Sequence, residues 1–597
     1  MAELTQRFGT LVDIYSQAVR NFADRPVFGT KTGDHWHWIT YREFGEMIDQ
    51  IRGGLASLGV GRGDRVAIIS NNRVEWAVIA GATYMLGATV VPMYETQLDK
   101  DWKYIIGDCS AKVLFVADEE IADRVEVFGD SFPTLEHVVV IDAGSDYEGL
   151  TYAQLLERGS ARPAPVADVG RDDLADIIYT SGTTGNPKGV LLTHANLADN
   201  VSAELAVVPV TGDDRTLSFL PWAHSFGQTL ELHGILAVGA SMGIAESAAK
   251  IAENLMEVRP TLLIAVPRIF NRVYDGVNAL MAEEGGLKKK LFDAALANEY
   301  RRMEMAEAGR TSPWVEAKHA LFDRLVFSKI RERFGGRLAF AASGSAALSP
   351  EVNKFVDALG IVVLQGYGLS ETSPLATVNP PEKRKVGSVG PAVPGVRIEL
   401  DHVATADPND GEIIIYGHCV MKGYHNLPEE NEAVFTEDGG LRTGDIGHLD
   451  EDGYLYITGR VKEQYKLENG KYVVPAPIEE HVRLSPFIAN IMIYGVNRPH
   501  NVALIVPDFD TLEKWAEKEG IDTSDRKRLI GDERVRDLFG LEIEAHSEGI
   551  KSYERVRDFF LIEEDFTQEN GILSQTLKVK RREVMKRYGS DLESLYR

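Results

Sequence analysis

Between residues 64 and 118, short apolar runs alternate with segments of helical period: "DRVAIIS", "EWAVIAGATYMLG", "ATVVPMY", "WKYIIGDC" and "AKVLFVAD" follow one another. β-branched runs separated by helix-period stretches predict βα units and a mostly parallel sheet. "EHVVVID" and "PTLLIAVP" extend the pattern. The stretch from "GGLKKKLFDAALANEYRRMEMAEAG" to "FSKIRERFGG" is charged and helical, a surface excursion. "RLAFAASGSAALSP" and "GIVVLQGYGLSET" each predict a buried strand running into a glycine-rich loop. After Gly390 the strands shorten, and Asp452-Gly453 predicts a hairpin turn between "GHL" and "YLYITG". Mixed strand and helix signals continue past a boundary at 460–462 to the basic end "TLKVKRREVMKRY".

At 597 residues the chain exceeds what one hydrophobic core organises, so several substructures are expected. Its 64 Lys and Arg against 90 Asp and Glu give a net charge of -26, a field that opposes a nucleic-acid backbone. Cys109 and Cys419 alone offer neither a disulfide framework nor a metal cluster, which suits a reducing compartment. The start "MAELTQRFGTLVDIYSQ" lacks a basic segment followed by an apolar one, so the expectation is a cytoplasmic chain. No run reaches the roughly 18 apolar residues of a membrane span. "LKKKLF" at 287–292 is a solvated helix face or, alternatively, a peripheral membrane contact.

The chemistry concentrates in "YTSGTTGNPKG" at 179–189, between a strand "LADIIYT" and a strand and helix "GVLLTHANLADN". Glycines let backbone N–H groups converge on an anion, the hydroxyls of Thr180, Ser181, Thr183 and Thr184 add donors, and Lys188 adds charge. That combination suits a polyphosphate, and a bland surface loop accounts for the glycines but not for the clustered hydroxyls. It is not a Walker A loop, because Asn186-Pro187 separates Gly185 from Lys188 and a glycine follows the lysine. Nor is "GYGLSE" a dinucleotide fingerprint, since Glu371 stands at the third glycine's place.

"YTSGTTGNPKGV" resembles the signature of the adenylate-forming superfamily of acyl-CoA synthetases, adenylation domains and luciferases. "LPWAHSFGQ", "SGSAALSP", "QGYGLSET", "TGDIGHLDEDGYLYITGR", "GRVKEQYKLENGKYVVPAPIE" and "LSQTLKVKRREV" match further family motifs in order. Their wording is most similar to long-chain fatty acyl-CoA synthetases. The resemblance implies an α/β fold: a large multi-subdomain N-terminal adenylation domain (1–459), with mostly parallel sheets flanked by helices plus a β-rich subdomain. A hinge at 460–462 and a small, mobile α+β C-terminal lid domain (463–597) follow.

It also implies roles. Ser181, Gly182, Thr183, Thr184 and Gly185 would cradle phosphates with Lys188, while Thr180 and Glu371 would hold Mg²⁺. Tyr367, between Gly366 and Gly368, would stack on adenine, with Gly344, Ser345 and Ala346 on its other side. Thr372 would touch the α-phosphate. Asp445 would accept from both ribose hydroxyls, Arg460 would reach ribose or phosphate, and Lys466 would contact the nucleotide. Lys462 takes the hinge position. Lys578 matches the catalytic lysine, although Ser574-Gln575 stands where long-chain enzymes carry Thr-Pro and Lys580 is an adjacent rival. Glu468, Asn469 and Gly470 would enter the site for thioester formation. His224 either lines the junction of acyl and nucleotide pockets or is an ordinary core histidine. The implied reaction is ATP-dependent conversion of a medium- or long-chain fatty acid to acyl-AMP and then, with coenzyme A, to acyl-CoA. A fatty acyl-AMP ligase serving a carrier protein and a non-catalytic binder of adenylate or fatty acid are the alternatives. A dimer is compatible with the sequence, which does not specify oligomeric state.

Overall fold

The computed structural model describes residues 2–129, 131–180, 186–402, 407–574 and 578–597. The first apolar runs form the strands Arg65–Ile69, Thr89–Met93 and Val113–Asp118, joined through the helices Val74–Met85 and Asp99–Cys109. Arg65–Ile69 lies between the other two and parallel to both. All five residues of Thr89–Met93 are buried, as expected where helical crossovers cover both faces of a parallel sheet. Val74–Met85 is buried almost all round, with Trp76 and Tyr84 fully inside; a helix without a polar face needs such surroundings.

These strands belong to an eight-stranded sheet whose other side is closed by Leu174–Thr180, Lys188–Thr193 and Gly423–Tyr424. Leu174–Thr180 and Lys188–Thr193 pair antiparallel, with Thr180 opposite Lys188. The glycine-hydroxyl segment is therefore a hairpin connection. Ser181, Gly182, Thr183, Thr184 and Gly185 lie outside the described residues. Thr193 then caps the helix His194–Val207, its hydroxyl accepting from Asn196 N–H at 3.1 Å.

One four-stranded sheet has the order Arg215–Ser218, Ser241–Ile244, Pro26–Thr32 and His35–Thr40. Another has the order Leu262–Ala265, Phe340–Ser343, Val362–Gly368 and Leu375–Val378, its first three strands parallel. The later, shorter strands form a sheet of Val396–Asp401, Gly411–Gly417, Leu441–Leu449 and Leu455–Arg460. The turn before Leu455 contains Gly453 at φ +81°, a left-handed conformation that glycine adopts without strain. In the helical excursion, Lys288 and Lys289 bond Glu284 and Asp293 one turn away, at 2.9 and 2.8 Å, and Leu287 is exposed. Among the described residues no helix is long and apolar enough to cross a membrane.

Near the C-terminus, Ile488–Tyr494, Asn501–Pro507 and Val556–Leu561 form a three-stranded sheet. Its strands alternate between two cores. Ile491, Ile493, Ala503 and Ile505 join the helices Phe509–Lys518 and Glu533–Ala545, whereas Met492, Val502, Leu504 and Val506 join the helix Arg581–Ser594. That is the period-two consequence of a strand buried on both faces. The chain divides into two compact units: Met1–Ile398 with Ile415–Leu441 and Glu451–Leu455, and Glu399–Ile414 with Arg442–Asp450 and Tyr456–Arg597.

Candidate active site

In the first unit the C-terminal ends of parallel strands carry most of the candidate residues, the location at which open α/β sheets bind ligands. Val362–Gly368 ends in Gly366, Tyr367 and Gly368, and a tight helical turn, Ser370–Thr372, holds Glu371 and Thr372. Gly368 has no room for a side chain: a Cβ would lie 1.6 Å from the carbonyl oxygen of Pro374. Thr372 is buried, and its hydroxyl accepts from Leu369 N–H at 2.8 Å and lies 2.7 Å from the Pro374 carbonyl, so it fixes the turn from inside.

Glu371 is half-buried. Its carboxylate accepts from the Tyr424 hydroxyl at 2.8 Å and its carbonyl accepts from Met421 N–H at 2.9 Å. Burial and the charge of Glu371 push the Tyr424 hydroxyl far above its ordinary range, so it stays a donor. Lys188, at the start of its strand, places Nζ 5.1 Å from the Tyr424 ring centre and 2.5 Å from a carboxylate oxygen of Glu430. Thr180 ends the partner strand directly opposite Lys188. A cation, an aromatic ring and a carboxylate thus stand together at the mouth of the hairpin connection.

The segment leading to His224 is pinned by Asn72, which donates to Ser218 Oγ at 3.1 Å and the Leu220 carbonyl at 2.7 Å and accepts from Trp222 N–H at 2.8 Å. His224 is half-buried; its Nδ1 accepts from Phe226 N–H at 3.2 Å, so a neutral ring carries its proton on Nε2. Ser225 and Ser370 join their hydroxyls at 3.2 Å, and a Cβ on Gly344 would meet the Phe226 ring at 3.2 Å. The loops of His224, of Gly344, Ser345 and Ala346, and of Glu371 are therefore neighbours. Ser345 holds φ +69°, a left-handed conformation in a non-glycine residue.

The second unit carries the remaining candidates. Asp445, in Leu441–Leu449, is buried and receives Arg460 Nε at 2.8 Å, while Val461 N–H donates to the Gly444 carbonyl at 2.8 Å. Lys462 directly follows that bond. Lys466 sits over the Tyr472 ring at 4.6 Å, and the Glu468, Asn469 and Gly470 turn is tied by Glu468 N–H donating to the Arg498 carbonyl at 3.0 Å. Lys578 is exposed. Its N–H donates to Ser574 Oγ at 3.0 Å and its carbonyl accepts from Ser574 N–H at 2.8 Å, so Ser574 holds the lysine's backbone in place.

Sequence reasoning passed over Tyr424, Glu430 and Asn72. Their partners lie between 53 and 242 positions away, and no periodicity links them. The only local signal was the isolated "GY" before a turn-rich segment. A buried polar layer inside the first unit was equally silent. Tyr84 and Gln228 donate to Asp176 at 3.0 and 3.1 Å, and Thr216 and Ser218 donate to Glu231 at 3.1 and 2.6 Å. Burial pushes Asp176 up to about 7 and Glu231 up to about 8, and lowers His194 to about 4 and His233 to about 3.

The AMP-binding enzyme family matches residues 15–425, and the AMP-binding enzyme C-terminal domain matches 462–597. In structure the chain is similar to the adenylation domain of a carboxylate reductase from Mycobacterium chelonae, with a TM-score of 0.82 and 24% identity over 99% of this chain and 92% of that one. It is also similar to the A domain of a carboxylic acid reductase from Segniliparus rugosus in complex with AMP and a co-purified carboxylic acid, with a TM-score of 0.77 and 25% identity over 99% and 95%. The architecture is that of adenylation domains. In sequence the chain is 34% identical to the long-chain-fatty-acid–CoA ligase FadD15 of Mycobacterium bovis over 94% of this chain and 92% of that protein. It is 32% identical to the peroxisomal long chain acyl-CoA synthetase 6 of Arabidopsis thaliana over 98% and 86%. The chain belongs to the AMP-binding, adenylate-forming enzymes and is an acid–thiol ligase.

Proposed function

We propose that this enzyme activates a medium- or long-chain fatty acid with ATP and transfers the acyl group to coenzyme A. In the first step the carboxylate oxygen bonds the α-phosphorus and pyrophosphate leaves; in the second the thiol sulfur bonds the acyl carbon and AMP leaves. Both reactants of the first step are anions, so the protein's task is to offset repulsion and align them. The observation that carries the reading is the grouping of Lys188, Tyr424 and Glu371 at the mouth of the hairpin connection. Lys188 would meet phosphate oxygens, Tyr367 and the glycine-flanked loop at 344–346 would bracket adenine, and Thr372 would bound the α-phosphate. In the second unit Asp445 and Arg460 would hold the ribose. Lys462 would act as the hinge between 1–459 and 463–597, Lys578 would face the carboxylate, and Glu468 to Gly470 would serve the thiol step. His224 would border the acyl chain.

Among the described residues no group of three or more His, Cys, Asp or Glu side chains is arranged to hold a metal. A single carboxylate, Glu371, with the Thr180 hydroxyl would suit Mg²⁺, which keeps waters and takes phosphate oxygens rather than a protein cage. Bound there, the ion would neutralise charge on the phosphates.

Glu430 occupies Lys188 at 2.5 Å, so an arriving polyphosphate must displace it. Glu430→Gln is expected to lower the KM for ATP by about two- to fivefold with little change in kcat, since a half-exposed ion pair is worth about 1 kcal/mol or less. Unchanged or raised KM in steady-state kinetics would contradict this competition.

The reading is tested by following pyrophosphate, AMP and thioester together with fatty acids of graded length, Mg²⁺ and coenzyme A. Matched AMP and acyl-CoA support it. Pyrophosphate without thioester assigns a carrier thiol as acceptor, and no turnover with any acid removes the fatty-acid assignment.

A further inference from the structure

The first unit has a built cavity at the opposite end of the strand that leads to His224. Arg215 opens Arg215–Ser218, Ser241 opens Ser241–Ile244 and Pro26 opens Pro26–Thr32, three parallel strands whose starts share one sheet edge. A cavity of about 180 Å³ lies there, lined chiefly by Arg25, Asp213, Asp214, Arg215, Ser241 and Arg337.

Its carboxylates are already engaged. Asp213 pairs with Arg25 at 3.0 Å, and Arg25 also donates to the Gly212 carbonyl. Asp214 accepts from the N–H and hydroxyl of Thr211 at 2.8 and 2.9 Å and from the Thr261 hydroxyl at 2.7 Å. Two cations are not so engaged. Arg215 donates through Nε to Ser241 Oγ at 3.1 Å and lies over Trp38, 4.4 Å from the ring centre, which orients its fork. Its two terminal nitrogens, and the whole guanidinium of Arg337, have no hydrogen-bond or ion-pair partner among the described residues. Burial, with the like charge of Arg337 adding to it, pushes Arg215 below its ordinary value, so the two guanidiniums feel each other. Ser241 accepts from Arg215 and keeps its own O–H to give. In a chain of net charge -26, two neighbouring uncompensated guanidiniums and a free hydroxyl in one cavity form a receptor for a compact oxyanion.

We propose that this cavity binds inorganic phosphate or pyrophosphate between Arg215 and Arg337, apart from the adenylation site. The chemistry shared by the two sources is a tetrahedral oxyanion with several acceptor oxygens. Neither the family comparison nor the reaction requires such a site.

Calorimetric titration of the full chain tests it, with a non-hydrolysable ATP analogue saturating the adenylation site and phosphate and pyrophosphate titrated separately. Binding of at least one is expected. Arg337→Ala should weaken it about tenfold, and Asp213→Asn, which releases Arg25 toward the cavity, should strengthen it. Both positions are exposed, so thermal midpoints and affinity for the ATP analogue should match the parent. Binding of phosphate alone assigns the site to the free ion, and tighter pyrophosphate binding assigns it to the reaction product. Absence of binding at millimolar concentrations, or binding that ignores both substitutions, overturns the proposal.

Discussion

Lys578→Ala is expected to lower acyl-adenylate formation by about 10²- to 10³-fold, the loss that accompanies removal of one preorganised charge at a developing anionic centre. Lys578 is exposed, and Ser574 holds its backbone through two hydrogen bonds, at 2.8 and 3.0 Å, so truncating its side chain leaves those bonds intact. The thioester step, started from supplied acyl-AMP, should keep most of its rate, because the carboxylate has already been activated. Lys580→Ala is the control. Lys580 directly precedes the final helix and is tied through its N–H to the Ile572 carbonyl at 2.8 Å, and its loss should change adenylation less than threefold, the scale of a solvated surface charge. Pyrophosphate exchange measures the first half-reaction and thioester formation the second. An equal fall in both, or a larger fall for Lys580→Ala, would refute the role assigned to Lys578.

The second large effect concerns stability. Glu231 is fully buried, accepts from Thr216 and Ser218, and ionises only at about 8. An unfolded chain loses that proton near 4.3. A raised carboxyl contributes stability that is full below the unfolded value and is lost as pH climbs through the folded one, so Glu231 progressively destabilises the protein between about 4.3 and about 8. Asp176 acts in the same direction up to about 7. His194 and His233, lowered to about 4 and about 3, act oppositely: their stability is present above the ordinary histidine value and is lost on acidification.

Glu231→Gln stays neutral throughout. Its stability relative to the parent should rise with pH by a few kcal/mol in total across that window and then level off. Urea unfolding followed by tryptophan fluorescence at pH 5, 6.5 and 8 measures this. Parallel curves for parent and variant would show that Glu231 does not carry the dependence.

Legibility in the sequence followed the range of the interactions involved. The strands at 65–69, 89–93 and 113–118 and their helices were readable because an apolar run and a helical period are properties of neighbouring residues. The Asp452-Gly453 turn was readable for a similar reason, since Gly453 adopts φ +81° locally. Candidate residues clustered by motif were legible too, and the ends of the strands bring the loops of Glu371, Gly344 and His224 into contact.

By itself, then, the sequence determined the α/β class, the strand that runs into the glycine- and hydroxyl-rich segment, and the family. Only the tertiary structure decided that Tyr424 serves Glu371, that Glu430 holds Lys188, that Asp176 and Glu231 are charged with difficulty, and that Arg215 and Arg337 share a cavity. The physical reason is sheet order. Strands distant in sequence become neighbours through crossovers, and the charge, burial and hydrogen bonding of a side chain depend on that neighbour rather than on the residues beside it in the chain.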